Sequence, residues 1–220
     1  MDILTQDIIF ISFYTSDGKY PELARKLKKS LIKFGLEQNI LKIHKNFNTW
    51  HEGTHFKSNF ILESLLKFKK TVVWLDIDTE IWKFPKLLFG DHDFAIYNWI
   101  ADNNHHLDGK IPYDKHSKSL LCSGGVQKYA YKDSSIQLLL EWINILKVMK
   151  NEKIGDDPCL DTAFNNNNFD LKTLWLPKTY NRMDKHSVYW SKIPDDSVFI
   201  NHNYVAGKHR EKSFNKIKGF

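Results

Sequence analysis

TVVWLDIDTE, residues 71–80, joins an uncharged apolar run to two closely spaced carboxylates. The first five residues are rich in β-branched and aromatic side chains and show no polar alternation. This pattern predicts a strand that is buried on both faces of a parallel sheet. We therefore expect the run to form the central strand of an α/β domain.

Asp76 and Asp78 are expected where this strand leaves the sheet. Because side chains alternate along a strand, both carboxylates are predicted on one side of the chain, roughly 6–7 Å apart at Cα. Open α/β sheets bind ligands at this edge. Two such carboxylates repel each other unless a cation lies between them, and their oxygens suit Mg²⁺ or Mn²⁺, which favour a diphosphate as a further ligand. The pair predicts a metal–nucleotide site.

A second Asp-x-Asp triplet, Asp91-His92-Asp93, lies nearby. It follows the residues LLFG rather than an apolar strand, so we interpret it as a solvated turn. The triplet alone is a weak signal in a chain rich in aspartate. The first copy, which contains Asp76 and Asp78, differs because it lies at the end of a predicted buried strand.

Strands and helices alternate before the carboxylate pair. Apolar residues 7–14 predict the first strand, an amphipathic helix opens at Pro21, and residues 39–44 predict the second strand. A second amphipathic helix leads into the central strand, and Trp50 and His51 are placed in the loop before it. The order strand, helix, strand, helix, strand predicts a Rossmann-like, doubly wound, mostly parallel sheet flanked by helices.

The pattern is looser in the second half of the chain. A helix is predicted at residues 134–150, and another begins near Pro158 with Asp157 as its N-cap. Residues 98–118 are polar and irregular, which fits a lid, an acceptor-side flap or a disordered loop. Further strands are predicted at residues 94–97, 120–131, 171–176 and 198–200.

The length of 220 residues suits one domain that buries roughly 70% of the surface of its unfolded chain. No apolar stretch approaches 18 residues, and no signal peptide or lipidation motif is visible, so we expect a cytoplasmic protein without a transmembrane segment. Cys122 and Cys159 lack C-x-x-C spacing. They are predicted to be reduced, partly buried thiols.

The formal net charge of +6 comes mostly from lysine. Arginine occurs only at Arg25, Arg182 and Arg210, whereas a nucleic-acid surface favours arginine for bidentate contacts. We therefore expect no nucleic-acid partner. The positive surplus favours an anionic donor or an acceptor at a membrane surface, so peripheral membrane contact is an open expectation.

The block KSNFILESLLKFKKTVVWLDIDTEIWKFPKLLF, residues 57–89, resembles the glycogenin-like glycosyltransferases of the GT-A fold in its helix, strand, Asp-x-Asp-Thr and later Leu-Phe. The resemblance extends from residue 9 to residue 208. It implies a single GT-A domain that transfers a hexose from a UDP-linked donor to a glycan, lipid-linked or protein acceptor. The implied parts are a nucleotide-binding region at residues 7–90, a sugar and acceptor side at 91–205, and a basic tail at 206–220.

The resemblance also implies a donor-binding set. The first loop and the start of the first helix would line the base, two lysines would contact the donor, and a small-residue turn would lie beside the sugar. That turn reads Ser-Gly-Gly-Val where the family has Asn-Ser-Gly-Val, which leaves the sugar and the stereochemistry open. The implied donor-binding residues are Tyr14, Thr15, Tyr20, Lys57, Asp76, Ser123, Gly124, Gly125 and Lys208.

The metal site and the catalytic carboxylates follow from the same resemblance. His202 would complete the metal shell of Asp76 and Asp78, and an imidazole ligand suits Mn²⁺ better than Mg²⁺. A divalent ion and a lysine would neutralise the leaving diphosphate. DDPCLD, residues 156–161, resembles the family's Asp-Gln-x-x-Leu-Asn. An inverting enzyme needs a carboxylate base near the acceptor hydroxyl, whereas a retaining one does not. The candidates are Asp156, Asp157 and Asp161.

Two other functions are compatible with parts of this pattern. A haloacid-dehalogenase-like phosphatase also places Asp-x-Asp at a strand end and uses a later Gly-Asp-Asp stretch, to which residues 155–161 are similar. Glu80 stands where that family has Thr, and Gly155 follows a polar segment rather than an apolar strand, which counts against it. A non-catalytic nucleotide-sugar binding protein would keep the pocket without the reaction.

Overall fold

A computed structural model describes residues 7–45, 47, 49–101, 118–149, 154–183 and 193–203. These residues form the helices α1 (Tyr20–Lys33), α2 (Trp50–Phe68), α3 (Asp133–Val148) and α4 (Asp156–Asn166). The strands are β1 (Ile8–Tyr14), β2 (Gln38–Lys42), β3 (Thr71–Leu75), β4 (Thr79–Ile81), β5 (Phe94–Asn98), β6 (Cys122–Tyr129), β7 (Thr173–Leu176), β8 (Arg182–Met183) and β9 (Ile200–His202).

The main sheet has six strands in the order β2-β1-β3-β6-β5-β7. β1 pairs in parallel with β2 and β3, and β5 pairs in parallel with β7. β6 runs antiparallel to both of its neighbours, β3 and β5. Every strand of this sheet except β6 therefore shares one direction, and the mostly parallel α/β sheet predicted from the sequence is confirmed.

β3 is buried on both faces, as the uncharged run predicts. Val72 and Trp74 pack into a cluster with side chains of α2, α3 and α4, whereas Val73 and Leu75 pack into a cluster with side chains of α1. Val72, Val73 and Leu75 are each 0% exposed. Full burial of one such aliphatic side chain contributes about 1.5–3 kcal/mol relative to an exposed one.

α1 begins where the sequence predicts, within one residue of Pro21. Pro21 lies in its first turn, and Leu27 and Leu31 are buried on its inner face. Gly35 has φ of +64°, a left-handed conformation that suits glycine. The N–H of Gly35 donates to Ile32 O at 3.0 Å, and the N–H of Leu36 donates to Leu31 O at 3.1 Å. These bonds satisfy carbonyl groups at the helix end and stop the helix.

A small second sheet has the strand order β4-β9-β8. Its first strand, β4, directly follows the carboxylate pair in the sequence. β4 and β9 pair antiparallel, with Thr79 opposite His202. The late strand was predicted at residues 198–200 and is observed slightly later, at Ile200–His202. This shift places His202 within the strand rather than after it.

The prediction that Trp50 and His51 lie in a loop is wrong. They form the first residues of α2, which spans Trp50–Phe68. Thr49 is the N-cap: its Oγ1 accepts a hydrogen bond from the N–H of Glu52 at 3.2 Å. This bond satisfies one of the free N–H groups at the helix start and extends the helix by a turn beyond its apolar stripe.

The predicted solvated turn at Asp91 and Asp93 is correct only for Asp91. Asp93 is 6% exposed. Its Oδ1 accepts a hydrogen bond from Lys132 Nζ at 2.5 Å, and its Oδ2 accepts one from the N–H of Lys172 at 3.1 Å. The Asp93 carboxylate therefore fastens the start of β5 to the segments before α3 and β7.

The predicted flap at residues 98–118 falls mostly outside the described residues, and so does the basic tail at 206–220 with Lys208. Cys122 and Cys159 are free thiols, and both are buried. Within the described ranges, no helix combines the length and the apolarity needed to cross a membrane.

Candidate functional site

Asp76 and Asp78 lie in a tight turn that directly follows β3. The N–H and the hydroxyl of Thr79 both donate to Asp76 O, at 3.0 and 2.8 Å. The carboxylates of Asp76 and Asp78 lie close together here, as predicted. β3 ends at Leu75, so this turn, rather than alternation along a strand, sets their relative position.

His202 of β9 joins the two carboxylates. Asp76, Asp78 and His202 each offer one ligand atom, and these atoms all lie within 4.8 Å of one another. His202 Nε2 lies 3.1 Å from Asp78 Oδ1 and 3.8 Å from Asp76 Oδ2. Two carboxylates and an imidazole form a donor set that fits Mn²⁺.

Burial and charge act in opposite directions on His202, which is 6% exposed. Burial lowers the pKa of its imidazole, but the carboxylates of Asp78 and Asp76 outweigh burial, so that the pKa is raised above its ordinary value. The cluster thus attracts positive charge at the position of the imidazole. A divalent cation would satisfy the same attraction.

The carboxylate of Asp76 is held by two neighbours. Its Oδ1 accepts a hydrogen bond of 2.8 Å from the indole Nε1 of Trp74 and lies 3.3 Å from Lys57 Nζ. Its Oδ2 lies on the side of His202. One oxygen of Asp76 is therefore held by the protein, while the other is directed into the Asp76, Asp78 and His202 cluster.

Lys57 of α2 forms a buried ion pair with Asp156, the first residue of α4. The distance between Lys57 Nζ and Asp156 Oδ2 is 2.6 Å, and the two side chains are 7% and 6% exposed. Burial lowers the pKa of Lys57, but Asp156, Asp76 and Asp157 outweigh it and hold the pKa well above its ordinary value. Lys57 therefore stays charged and links α2, β3 and α4 at one point.

Asp157 lies against the backbone of β6. Its Oδ2 accepts a hydrogen bond from the N–H of Gly124 at 3.3 Å, and no described residue donates to its buried Oδ1. Burial, with the adjacent Asp156 as the next cause, raises the pKa of Asp157 to about 7. The N-cap of α4 is Gly155, so the prediction of Asp157 as N-cap is wrong.

Gly124 and Gly125 allow two side chains to approach β6 closely. A Cβ at Gly124 would lie 2.3 Å from Asp157 Oδ1. A Cβ at Gly125 would lie 2.7 Å from His202 Nδ1 and 2.9 Å from Asn181 Oδ1. Any larger residue at these positions would displace Asp157 and His202. The glycine pair therefore sets the distance between β6 and both groups.

Asp161 and Ser123 support the same wall of the site. Asp161 Oδ1 accepts a hydrogen bond of 2.7 Å from the N–H of Cys122, which fixes the start of β6. Burial raises the pKa of Asp161 to about 6. Ser123 Oγ accepts a hydrogen bond from Asn181 Nδ2 at 3.0 Å. These contacts are structural, and a catalytic role for Asp161 stays a prediction.

Tyr14, Thr15 and Tyr20, the predicted base-binding residues, lie where β1 ends and α1 begins. β1 is the parallel neighbour of β3, so this segment borders the same sheet edge as Asp76. Burial is the largest cause that raises the pKa of Tyr20, and Asp76 contributes to the same shift. The carboxylates of the cluster therefore interact electrostatically with the Tyr20 phenol.

The contact of Trp74 with Asp76 was not predicted. The period-two rule that places Asp76 and Asp78 on one side of the chain places Trp74 on that side as well. Asn181 was also overlooked, and no local pattern marks it. Its neighbours Ser123 and Gly125 lie far away in sequence.

Solved structures share the fold of this chain. A glycosyltransferase involved in the glycosylation of the major capsid of PBCV-1 matches with a TM-score of 0.63 and 12% identity, over 94% of this chain and 98% of that one. The glycosyltransferase GlyE of Streptococcus pneumoniae TIGR4 matches with a TM-score of 0.51 and 16% identity, over 90% of this chain and 55% of that one.

The galactosyltransferase LgtC, solved in complex with donor and acceptor sugar analogs, matches with a TM-score of 0.50 and 12% identity, over 89% of this chain and 86% of that one. No protein-family model and no curated protein matches the sequence. Likeness at such low identity shows the fold alone. The chain is a single α/β domain with the GT-A fold found in glycosyltransferases.

Proposed function

We propose that this protein is a metal-dependent glycosyltransferase that moves a hexose from a UDP-linked donor to a hydroxyl of a glycan, lipid-linked or protein acceptor. The observation that carries the proposal is the convergence of Asp76, Asp78 and His202 within 4.8 Å at the carboxyl end of β3. Open α/β sheets bind ligands at this edge. Glycosyltransferases with the same fold support the reaction class.

Asp76, Asp78 and His202 would hold Mn²⁺, or Mg²⁺ in its place. The bound ion would neutralise charge on the diphosphate that leaves. Trp74 and Lys57 hold Oδ1 of Asp76, so that Oδ2 is presented to the ion. Lys208, a residue outside the described ranges, is proposed as a second cation on the diphosphate.

The residues of the first loop are proposed to hold the nucleoside. Tyr14, Thr15 and Tyr20 border the sheet edge beside β3, where the base of the donor would lie. Ser123, Gly124 and Gly125 of β6 would face the donor sugar. The two glycines let Asp157 and His202 lie against the backbone of β6, which would place both groups beside the sugar.

The carboxylates of α4 are proposed to act on the sugar and the acceptor. The ion pair with Lys57 fixes Asp156 in one orientation, in which it would accept hydrogen bonds from sugar hydroxyls. The acceptor oxygen forms its bond to the anomeric carbon as the bond from that carbon to the diphosphate breaks. Asp157, whose pKa is raised to about 7, is proposed to take the acceptor's proton. Asp161 is the alternative candidate for this base.

A panel of UDP-, GDP- and ADP-linked sugars with Mn²⁺ tests the proposal. A transferase binds one of these donors and hydrolyses it slowly or transfers its sugar, and a binding protein binds it without turnover. A phosphatase prefers simple phosphomonoesters. The phosphatase is disfavoured because Gly155 and the residues after it open α4, and the preceding described element is helix α3 rather than a strand. Absence of metal-dependent binding for every donor would refute the proposal.

A further inference from the structure

A second charged site surrounds a cavity at the amino-terminal end of β3, away from the carboxylate cluster. The cavity measures about 340 Å³. This volume is at the lower end of the range of small-molecule pockets, about 300–1,000 Å³. Among its lining residues are Lys69, Lys70, Lys128 and Lys132, with Asp7 and Asp91 as the acidic members.

Lys128 is the buried charged residue among those that line this cavity. It lies on β6 and is 1% exposed. Its Nζ donates a hydrogen bond of 2.5 Å to the carbonyl of Gly90, and an ammonium group has three N–H donors. None of the described carboxylates forms an ion pair with it. Burial lowers the pKa of Lys128 to about 8, against the opposing effect of Asp91 and Asp93.

The acidic residues of the cavity are already paired with other lysines. Asp7 lies 2.8 Å from Lys70 Nζ, and Asp91 lies 2.8 Å from Lys172 Nζ. The two carboxylate side chains are 70% and 74% exposed, so water also screens them. They offer little compensation to the buried ammonium of Lys128.

The remaining charges of the cavity are positive. Lys69 is exposed at the cavity rim and forms no ion pair with a described residue. Lys132 pairs with Asp93 and is also the N-cap residue of α3, a helix start without a side-chain cap. A helix start carries partial positive charge. The cavity therefore combines a buried cation with a positive rim.

We propose that this cavity binds a phosphate group, either free or carried by a small molecule, with Lys128 as the buried anchor and Lys69 and Lys132 at the rim. The phosphate oxygens accept hydrogen bonds from the N–H groups of Lys128 that do not reach Gly90. The anion also compensates the charge that burial disfavours at this position. The site needs neither a divalent ion nor the proposed transfer reaction.

Calorimetric titration with inorganic phosphate and with glucose 6-phosphate tests the proposal, in EDTA and at constant ionic strength. Lys128→Met keeps the apolar stem and the approximate volume but removes the ammonium. We expect it to weaken phosphate binding by about tenfold or more. Lys26→Met removes the same charge from an exposed position on α1 and should leave binding unchanged. The two ligands distinguish free phosphate from a sugar phosphate.

A second variant keeps the test decisive if Lys128→Met does not fold. Lys69 has φ of +53°, a conformation that asparagine also tolerates, so Lys69→Asn removes a rim charge with little strain. We expect about a threefold loss of phosphate affinity, the scale of a solvent-screened charge contact. No phosphate binding by the parent, or equal affinities of the parent and both cavity variants, would overturn the proposal. Asp78→Asn should bind phosphate like the parent, which separates this site from the proposed active site.

Discussion

The indole N–H of Trp74 donates a hydrogen bond of 2.8 Å to Oδ1 of Asp76. Trp74 is 3% exposed and lies within the hydrophobic core, so its ring has little freedom to move. The bond therefore fixes the orientation of a carboxylate that we propose as a metal ligand. Groups that orient metal ligands in this way affect metal affinity although they do not touch the ion.

Trp74→Phe should weaken Mn²⁺ binding by about tenfold, the lower end of the effect of losing an outer-shell partner. The phenyl ring keeps most of the packing but donates no hydrogen bond. The measurement is Mn²⁺ titration followed by electron paramagnetic resonance of the free ion. Trp175→Phe, at a buried tryptophan of the edge strand β7, is the matched control. Equal Mn²⁺ affinities of Trp74→Phe and Trp175→Phe would show that Trp74 does not support the metal site.

Lys57→Met should destabilise the fold by about 3–5 kcal/mol, because it leaves the buried carboxylate of Asp156 without its partner. Adding Asp156→Asn to this variant should restore much of the loss. The measurement is urea unfolding of both single variants and the double variant. The exposed pair between Lys26 and Glu22 provides the comparison: Lys26→Met should cost no more than about 1 kcal/mol. If the two substitutions have additive effects on the free energy of unfolding, Lys57 and Asp156 do not stabilise each other.

The raised pKa of Asp157 predicts a pH dependence of stability. Its carboxyl shifts from an ordinary value of 3.8 to about 7, chiefly through burial, then through Asp156 and Asp76, with Lys57 opposing. The folded protein thus keeps a proton that the unfolded chain has released, so this residue's contribution to stability falls as pH rises from about 4 to 7. Asp157→Asn removes the titration.

The test of this prediction is the difference in free energy of unfolding between the parent and Asp157→Asn, measured by urea at several pH values. The parent should lose stability relative to the variant as pH rises from about 4 to 7, and the difference should level off above that range. A difference that is constant with pH would show that Asp157 ionises normally in the folded protein.

Asp156→Asn should lower the turnover number more than it lowers donor affinity. A group beside the reacting carbon acts mainly in the transition state, so its loss changes kcat more than the binding of the ground state. Single-turnover kinetics with the donor identified from the panel separate the two quantities. An unchanged turnover number would transfer the proposed role to Asp157 or Asp161.

The first half of the fold could be predicted from the sequence because its signals are local. The apolar run of β1, the leucine face and terminal Gly35 of α1, and the uncharged β3 each mark their own element. Hydrophobic period and cap residues depend on neighbours within a few positions. Alternation of these elements then indicates the parallel sheet.

The direction of β6 and the pairing of β4 with β9 could not be predicted in the same way. A buried antiparallel strand has the same apolar composition as a buried parallel one, and register depends on partners far away in sequence. His202 was placed at the site only through a family resemblance. Its pairing opposite Thr79 brings it beside Asp76 and Asp78.

The charges of the site were only partly predictable. The sequence indicates mutual repulsion of Asp76 and Asp78 unless a cation lies between them. In the structure, Lys57 and Trp74 also contact Asp76, and His202 contacts Asp78. The groups that contact the two carboxylates come from α2, β3 and β9. No spacing in the sequence indicates that these three elements meet.

The most direct test of the central claim is the calorimetric binding of UDP with and without Mn²⁺. We expect Mn²⁺-dependent binding in the parent, its loss in Asp78→Asn, and parent-like binding in Asp91→Asn, the matched change in the exposed second triplet. Circular dichroism of all three proteins should show the same fold. UDP binding that is independent of Mn²⁺, or that survives in Asp78→Asn, would contradict the assignment of this cluster as the metal–nucleotide site.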